Sequence, residues 1–186
     1  MKPVNSIELI NRLETQVEKH LAEAIKVYQN LTNEELNKQA PDGGWSIAQC
    51  LDHLNSYGDY YIPKMAEGME DFKGGSSSTF TSTWLGNYFT KMLDPDTGKR
   101  KMKTFKKHVP ARDLDAHNVV AEFIRQEEYF LQLIRKARGR NLNKISIPTS
   151  IASFIRMNLG DTFRFLVAHN ERHIRQAARA RGVVFN

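Results

Sequence analysis

The chain has 186 residues, with 40% apolar and 26% charged side chains, the composition of a soluble globular protein rather than a disordered one. No stretch reaches the roughly 20 apolar residues needed to span a bilayer, and the amphipathic, charge-interrupted N-terminus lacks a signal peptide's apolar centre, so a cytoplasmic protein without membrane partners is expected. A single cysteine, Cys50, excludes an internal disulfide and every multi-cysteine metal site; in the run WSIAQCLDHL it reads as a small buried thiol.

In chain order, four segments carry helical periodicity, and the reading is all-α, a four-helix bundle in one domain spanning residues 1–186. The first helix is predicted from about Ser6 to Leu31, with Ile10, Leu13, Val17, Leu21, Ala24 and Tyr28 at three- and four-residue steps. The second opens after Gly43-Gly44 and runs from about Ser46 to Met69, where Pro63 is expected to bend or interrupt it. Beyond it, Gly74 to Ser78 reads as a flexible hinge. The run TFTSTWLGNYFTKML then places Trp84, Leu85, Tyr88, Phe89 and Leu93 at helical spacing and predicts a short extra helix covering one end of the bundle. The third helix is predicted from about Asp115 to Arg138. The fourth runs from about Leu159 to Arg181, closed by Gly182 and with arginines suited to its negative end. Between these last two, residues 143–153 are expected to hold a few extended residues.

The connections are unequal. Short links between helices 1 and 2 and between 3 and 4 favour antiparallel neighbours, whereas some forty-five residues between 2 and 3 permit a parallel crossover. The predicted topology is up-down-down-up.

The net charge of +6 is local. Six basic residues (Lys99, Arg100, Lys101, Lys103, Lys106, Lys107) fall within KRKMKTFKK; without them 21 basic residues balance 21 acidic ones. With one aromatic, Phe105, the patch lacks the stacking platform of single-strand binders, so no nucleic-acid partner is expected.

The fourth helix contains His169-Asn-Glu-Arg-His173. Residues four apart share a helix face, so both imidazoles can reach a common point, and borderline metals such as zinc and nickel accept neutral imidazole. A zincin is disfavoured, because the acid there directly follows the first histidine, whereas Glu171 is turned to the opposite side. On spacing alone the signal is weak, and a pair of histidines packed at a helix interface and hydrogen-bonded to neighbours is the commoner account. Glu127 interrupts the apolar stripe of the third helix. An acid facing a core needs a partner, and a metal, its water or a supporting histidine are the candidates, which makes Glu127 the one candidate catalytic acid or base.

The stretch Pro41-Asp-Gly-Gly-Trp-Ser-Ile-Ala-Gln-Cys-Leu-Asp-His53-Leu, followed by His169-x-x-x-His173-Ile-x-Gln176, resembles the DinB/YfiT-like family of bacterial metal-binding bundles. Trp45-Ser46, His53, His169, His173, Ile174 and Gln176 all match its pattern, and the resemblance covers essentially the whole chain. It implies a site in which His53, His169 and His173 hold one divalent metal ion, zinc or nickel, with open positions for water or substrate. Ser46 would cap the second helix, and Gln176 would either orient a histidine or stand exposed. His20, His108 and His117 match nothing and are expected in surface or structural roles.

The resemblance also implies a small-molecule substrate. Several of the family's members are transferases that use a low-molecular-weight thiol such as bacillithiol, mycothiol or glutathione, and the leading expectation is a transferase of that kind. The covering segment around Trp84, Tyr88 and Phe89 would then shape the pocket for the electrophile, and the basic patch could receive an anionic thiol. Metal-dependent hydrolysis with water as nucleophile is the alternative, and a non-catalytic metal- or ligand-binding protein is a third. Bundles of this kind often dimerise, which leaves a homodimer open.

Overall fold

In the computed structural model, residues 1–97 and 104–183 are described. Four long helices form the frame: α1 (Ser6–Lys26), α3 (Ile47–Asp71), α5 (Ala116–Lys136) and α6 (Leu159–Ala180). Two shorter ones, α2 (Asn33–Asn37) and α4 (Trp84–Leu93), lie in the connections. Of the basic patch, Lys99, Arg100, Lys101 and Lys103 fall outside the described residues. No described helix is long and apolar enough to cross a membrane.

Local chemistry sets the helix ends. Ser46 accepts from the Gln49 amide while the Gln49 side chain accepts from the Ser46 amide, a reciprocal box that starts α3 at the predicted point. Asn158 caps α6 through the Asp161 amide at 2.7 Å, and Gly182 closes it with a positive φ of 83°. Pro63 lies inside α3 without ending it.

The helix directions follow from pairs that touch. Asn55 meets Val119 and Asp59 meets Gln126, so α3 and α5 run parallel. Glu14 meets Arg135 and His20 meets Glu127, so α1 and α5 are antiparallel. Tyr57 and Tyr61 meet His169 and Phe165, which sets α6 against α3. The bundle is therefore up-down-down-up, as the long crossover predicts. The expected neighbours differ. Both α1 and α3 pack against α5 and α6, which puts α1 diagonal to α3 and α5 diagonal to α6. The links on these diagonals carry structure of their own, α2 in one and a hairpin of β3 (Ser146–Pro148) with β4 (Arg156–Asn158) in the other, and are long enough to cross. Of this hairpin, β3 falls among the extended residues expected within 143–153, and β4 lies beyond them. The glycine-serine hinge leads into β2 (Thr79–Phe80), which pairs with β1 (Val4–Asn5).

Helix α4 lies parallel to α6. Fully buried Asp161 accepts from Ser82, from the Thr83 amide and from the Thr83 hydroxyl, while Phe89 meets Phe165 and Asp96 meets Arg175.

The apolar core is divided. One cluster holds Leu13, Val17, Tyr57, Phe130 and Leu166; the other holds Ala24, Leu51, Leu54, Phe123 and Ile174. Between them lies a belt of buried polar side chains, His20, His53, Gln126, Glu127, His169 and Asn170. Polar groups removed from water need partners, so this belt is where the bundle holds its chemistry.

Candidate metal centre

Three histidines converge in that belt. His53 comes from α3, and His169 and His173 from α6, one turn apart. All three are buried, and one ring nitrogen of each lies within 4.8 Å of the others. The Nε2 atoms of His53 and His169 face each other at 3.1 Å.

The outer nitrogens of two rings are engaged. His53 Nδ1–H donates to the His108 carbonyl at 2.7 Å, and His173 Nδ1–H donates to the Gln176 amide oxygen at 3.0 Å. Such a bond fixes the tautomer with the proton on Nδ1 and turns the Nε2 lone pair inward. The sequence expectation for Gln176 thus has its contact, while His108, expected only in a generic role, supplies the carbonyl that holds His53. Buried His108 also bonds Ser56 Oγ through Nδ1 at 2.9 Å. His169 Nδ1 is buried without a hydrogen-bond partner among the described residues.

The electrostatics keep these rings neutral. Burial, then the neighbouring rings and Arg172, hold His169 well below the ordinary imidazole range. Burial pulls His173 down to about 3 and lowers His53 as well. Neutral imidazoles with convergent lone pairs are the donor set that zinc-like dications take, so the residues present fit such an ion.

Aromatic rings wall the site. Trp45 stacks on His173 at 5.7 Å and tilts over His53 at 5.0 Å. Tyr57 lies 4.4 Å from His169 between ring centroids, and Phe165 stacks on His169 at 5.9 Å. From α4 it is Phe89 that reaches this wall, through Phe165. Trp84 and Tyr88 stack on each other and are 76% and 51% exposed, so the structure places them on the solvent side of α4 rather than in the wall.

Glu127 also sits elsewhere than beside the three histidines. It leaves α5 towards α1, where Oε2 faces His20 Nδ1 at 3.7 Å and Oε1 accepts from Asn170 at 2.6 Å. His20 is itself buried and bonds Glu171 through Nε2 at 2.9 Å. Burial alone would lower the pKa of His20; the two carboxylates outweigh it and raise it. Glu127 is raised by burial, against the pull of His20 and Asn170. Cys50 is an inert core thiol, pushed up to about 12 by burial.

A family model for the DinB superfamily matches residues 16–177. Among solved structures the chain is similar to YfiT from Bacillus subtilis, at 16% identity and a TM-score of 0.52, over 96% of this chain and 89% of that one. That protein is described as "a probable metal-dependent hydrolase with an unusual four-helix bundle topology". A search among curated proteins finds no match.

Proposed function

The chain belongs to the DinB superfamily, and from that premise we propose that its three histidines hold one divalent metal ion, zinc or nickel, in an enzyme that activates a low-molecular-weight thiol for transfer to an electrophilic small molecule. The observation that carries this reading is the inward set of neutral Nε2 donors, two of them fixed by His108 and Gln176. A dication held there lowers the pKa of a coordinated thiol or water and polarises a carbonyl.

The chain's own residues favour a thiol over water. Among the described residues, the hydrogen-bond partners of the three imidazoles are a carbonyl, an amide oxygen and one another. Glu127, the acid the sequence offers as a base, is engaged by His20 and Asn170. A thiol needs less help from a base than water does, because its own pKa is much closer to neutral. Arg172 adds positive potential at His169 and His173, which favours an anionic nucleophile. Trp45, Tyr57 and Phe165 supply an apolar wall for the carbon skeleton of a substrate.

The test is consumption of bacillithiol, mycothiol or glutathione in the presence of 1-chloro-2,4-dinitrobenzene, with and without chelator. Loss of thiol that stops on chelation and returns with zinc or nickel is expected. No metal-dependent loss of any of the three would overturn the transferase reading.

A second reading, metal-dependent hydrolysis, is favoured by the description of the structurally similar YfiT protein. Ester or amide cleavage lost in His53→Ala, without any thiol requirement, would select it. Bound metal with neither activity would select a binding protein.

A further inference from the structure

Helix α3 carries three tyrosines, Tyr57, Tyr60 and Tyr61, and two of their hydroxyls are engaged. Tyr60 donates to the Thr149 carbonyl at 2.9 Å, and Tyr61 accepts from the Ser150 amide at 3.0 Å, so both fasten the loop between β3 and β4 to α3. Tyr57 differs. It is only 8% exposed, yet its hydroxyl has no hydrogen-bond partner among the described residues. A tyrosine this far from water ordinarily places its O–H on an acceptor. Nor is the oxygen sealed in the core, as the orphaned Nδ1 of His169 is, so a ligand can reach it.

Its place follows from the helix. Tyr57 comes four residues after His53, which puts both on one face of α3. Aromatic side chains on a helix lean back towards its N-terminus, over the preceding turn, and here that turn carries His53. The Tyr57 ring accordingly lies 5.1 Å from the His53 ring and 4.4 Å from the His169 ring, centroid to centroid. These are the two rings whose Nε2 atoms face each other. Of the three side chains that wall the centre, Trp45, Tyr57 and Phe165, Tyr57 alone carries a hydroxyl. The histidines offer little to an anion coordinated beside them, since His53 and His173 spend their outer N–H groups on His108 and Gln176. Such an anion keeps lone pairs that the metal does not use, and a donor placed at them makes a charge-assisted bond.

We infer, on the premise of the three-histidine centre proposed above, that the Tyr57 hydroxyl donates a hydrogen bond to the anionic ligand coordinated there. It thereby favours anions with a spare lone pair over neutral ligands without one, whether the centre activates a thiol or water. A phenol holds its proton at neutral pH, so it donates without a change of charge.

The experiment uses the full chain loaded with cobalt(II), whose visible absorption reports coordination, and two probes, azide and imidazole. Azide bound through one terminal nitrogen keeps lone pairs that accept; imidazole bound through its one free lone pair presents only an N–H. Tyr57→Phe keeps the ring against His53 and His169 and removes the O–H alone. It should weaken azide about ten- to a hundredfold, the scale of a hydrogen bond to a charged group, and leave imidazole affinity and cobalt stoichiometry unchanged. Tyr60→Phe, which removes a hydroxyl already engaged by Thr149, should leave both affinities unchanged. Independently of any variant's affinity, the hydroxyl-bearing ring carbon of Tyr57 should shift in the carbon NMR spectrum when azide is added to the zinc-loaded chain. Equal azide affinity in wild type and Tyr57→Phe, equal losses of azide and imidazole, or a cobalt-loaded wild type that binds no azide would each overturn the inference. Azide weakened as expected in a chain that consumes no thiol would support it while removing the transferase reading.

Discussion

His53 and His169 are 116 residues apart in sequence, and their Nε2 atoms face each other at 3.1 Å. In a tetrahedral zinc site with bonds of about 2.0–2.1 Å, two ligand nitrogens stand roughly 3.3 Å apart. Two inward lone pairs at that separation repel unless a proton or a cation lies between them; without metal, a proton on one Nε2 can bridge the two neutral rings, and a bound cation takes its place. His53→Ala should therefore abolish stoichiometric metal uptake while the chain stays folded, as should His169→Ala/His173→Ala. Elemental analysis after gel filtration, beside far-UV circular dichroism, measures both. Metal content equal to wild type in either variant would remove the centre.

Gln176 acts at one remove, through the Nδ1–H of His173. Gln176→Leu leaves all three ligands in place but releases that ring to rotate. Losses on removing such a partner run to about 10–100-fold in metal affinity. Competition against a zinc-responsive fluorescent chelator should show a shift in that range. Gln176→Glu should restore binding, because its carboxylate accepts the same hydrogen bond.

The three ligands also set a pH dependence. An imidazole in water takes up a proton near its usual pKa of about 6.5 and then no longer binds metal. Here burial lowers all three, His173 to about 3. Zinc bound at pH 7.5 should consequently be retained as the pH falls well below 6.5. The metal-free chain behaves oppositely. Between about 6.5 and the lowered native values the unfolded state binds more protons, so stability falls as pH falls through that window. Urea midpoints of chelated protein should decrease steadily below about pH 6.5, and metal release already complete at pH 6.5 would contradict the neutral, buried site.

Legibility in the sequence followed the range of the interactions. His169 and His173 share a helix face by spacing alone, and Ser46 with Gln49 forms a cap within four residues; local signals of this kind need no tertiary knowledge. His53 entered through its resemblance to a family pattern, since no spacing rule joins residues on two separate helices. The carbonyl that orients it belongs to His108 in the crossover, and a backbone oxygen leaves no trace in side-chain identity. Glu127 shows the same boundary. Its break in an apolar stripe announced a buried acid, but only the packing of α1 against α5 decided that its neighbour is His20. Helical spacing marks Trp84, Tyr88 and Phe89 as one covering segment, while the face of α4 that touches α6 is set by Asp161 and Phe165.

The buried pair of His20 and Glu127 ties α1 to α5. Removing one member strands the other in a medium of low dielectric, which typically costs about 3–5 kcal/mol. His20→Leu should destabilise by about that amount in urea unfolding, and His20→Leu/Glu127→Leu by less than the sum of the single changes. Metal content should survive in all of them. A loss of turnover in Glu127→Gln with stability unchanged would instead return Glu127 to a role in the chemistry.

Gly86 offers the sharpest test of how the crossover is fastened. It lies in the first turn of α4, and a Cβ built there would stand 2.0 Å from Asp161 Cγ. In an isolated helix, replacing glycine with alanine gains up to about 1 kcal/mol. Here the neighbour cannot yield cheaply. Asp161 is fully buried and holds the Thr83 amide and hydroxyl, each at 2.8 Å, together with Ser82. To admit the methyl group, either those bonds lengthen or α4 moves off α6 and takes Phe89 from Phe165. The clash should therefore outweigh the helix preference, and Gly86→Ala should destabilise by about 1–3 kcal/mol, the usual range for overpacking. Trp84 on the same turn reports the displacement as a change in its fluorescence. Since the three histidines stand on α3 and α6, metal stoichiometry should persist. Unchanged stability and fluorescence would mean that α4 is not anchored through Asp161.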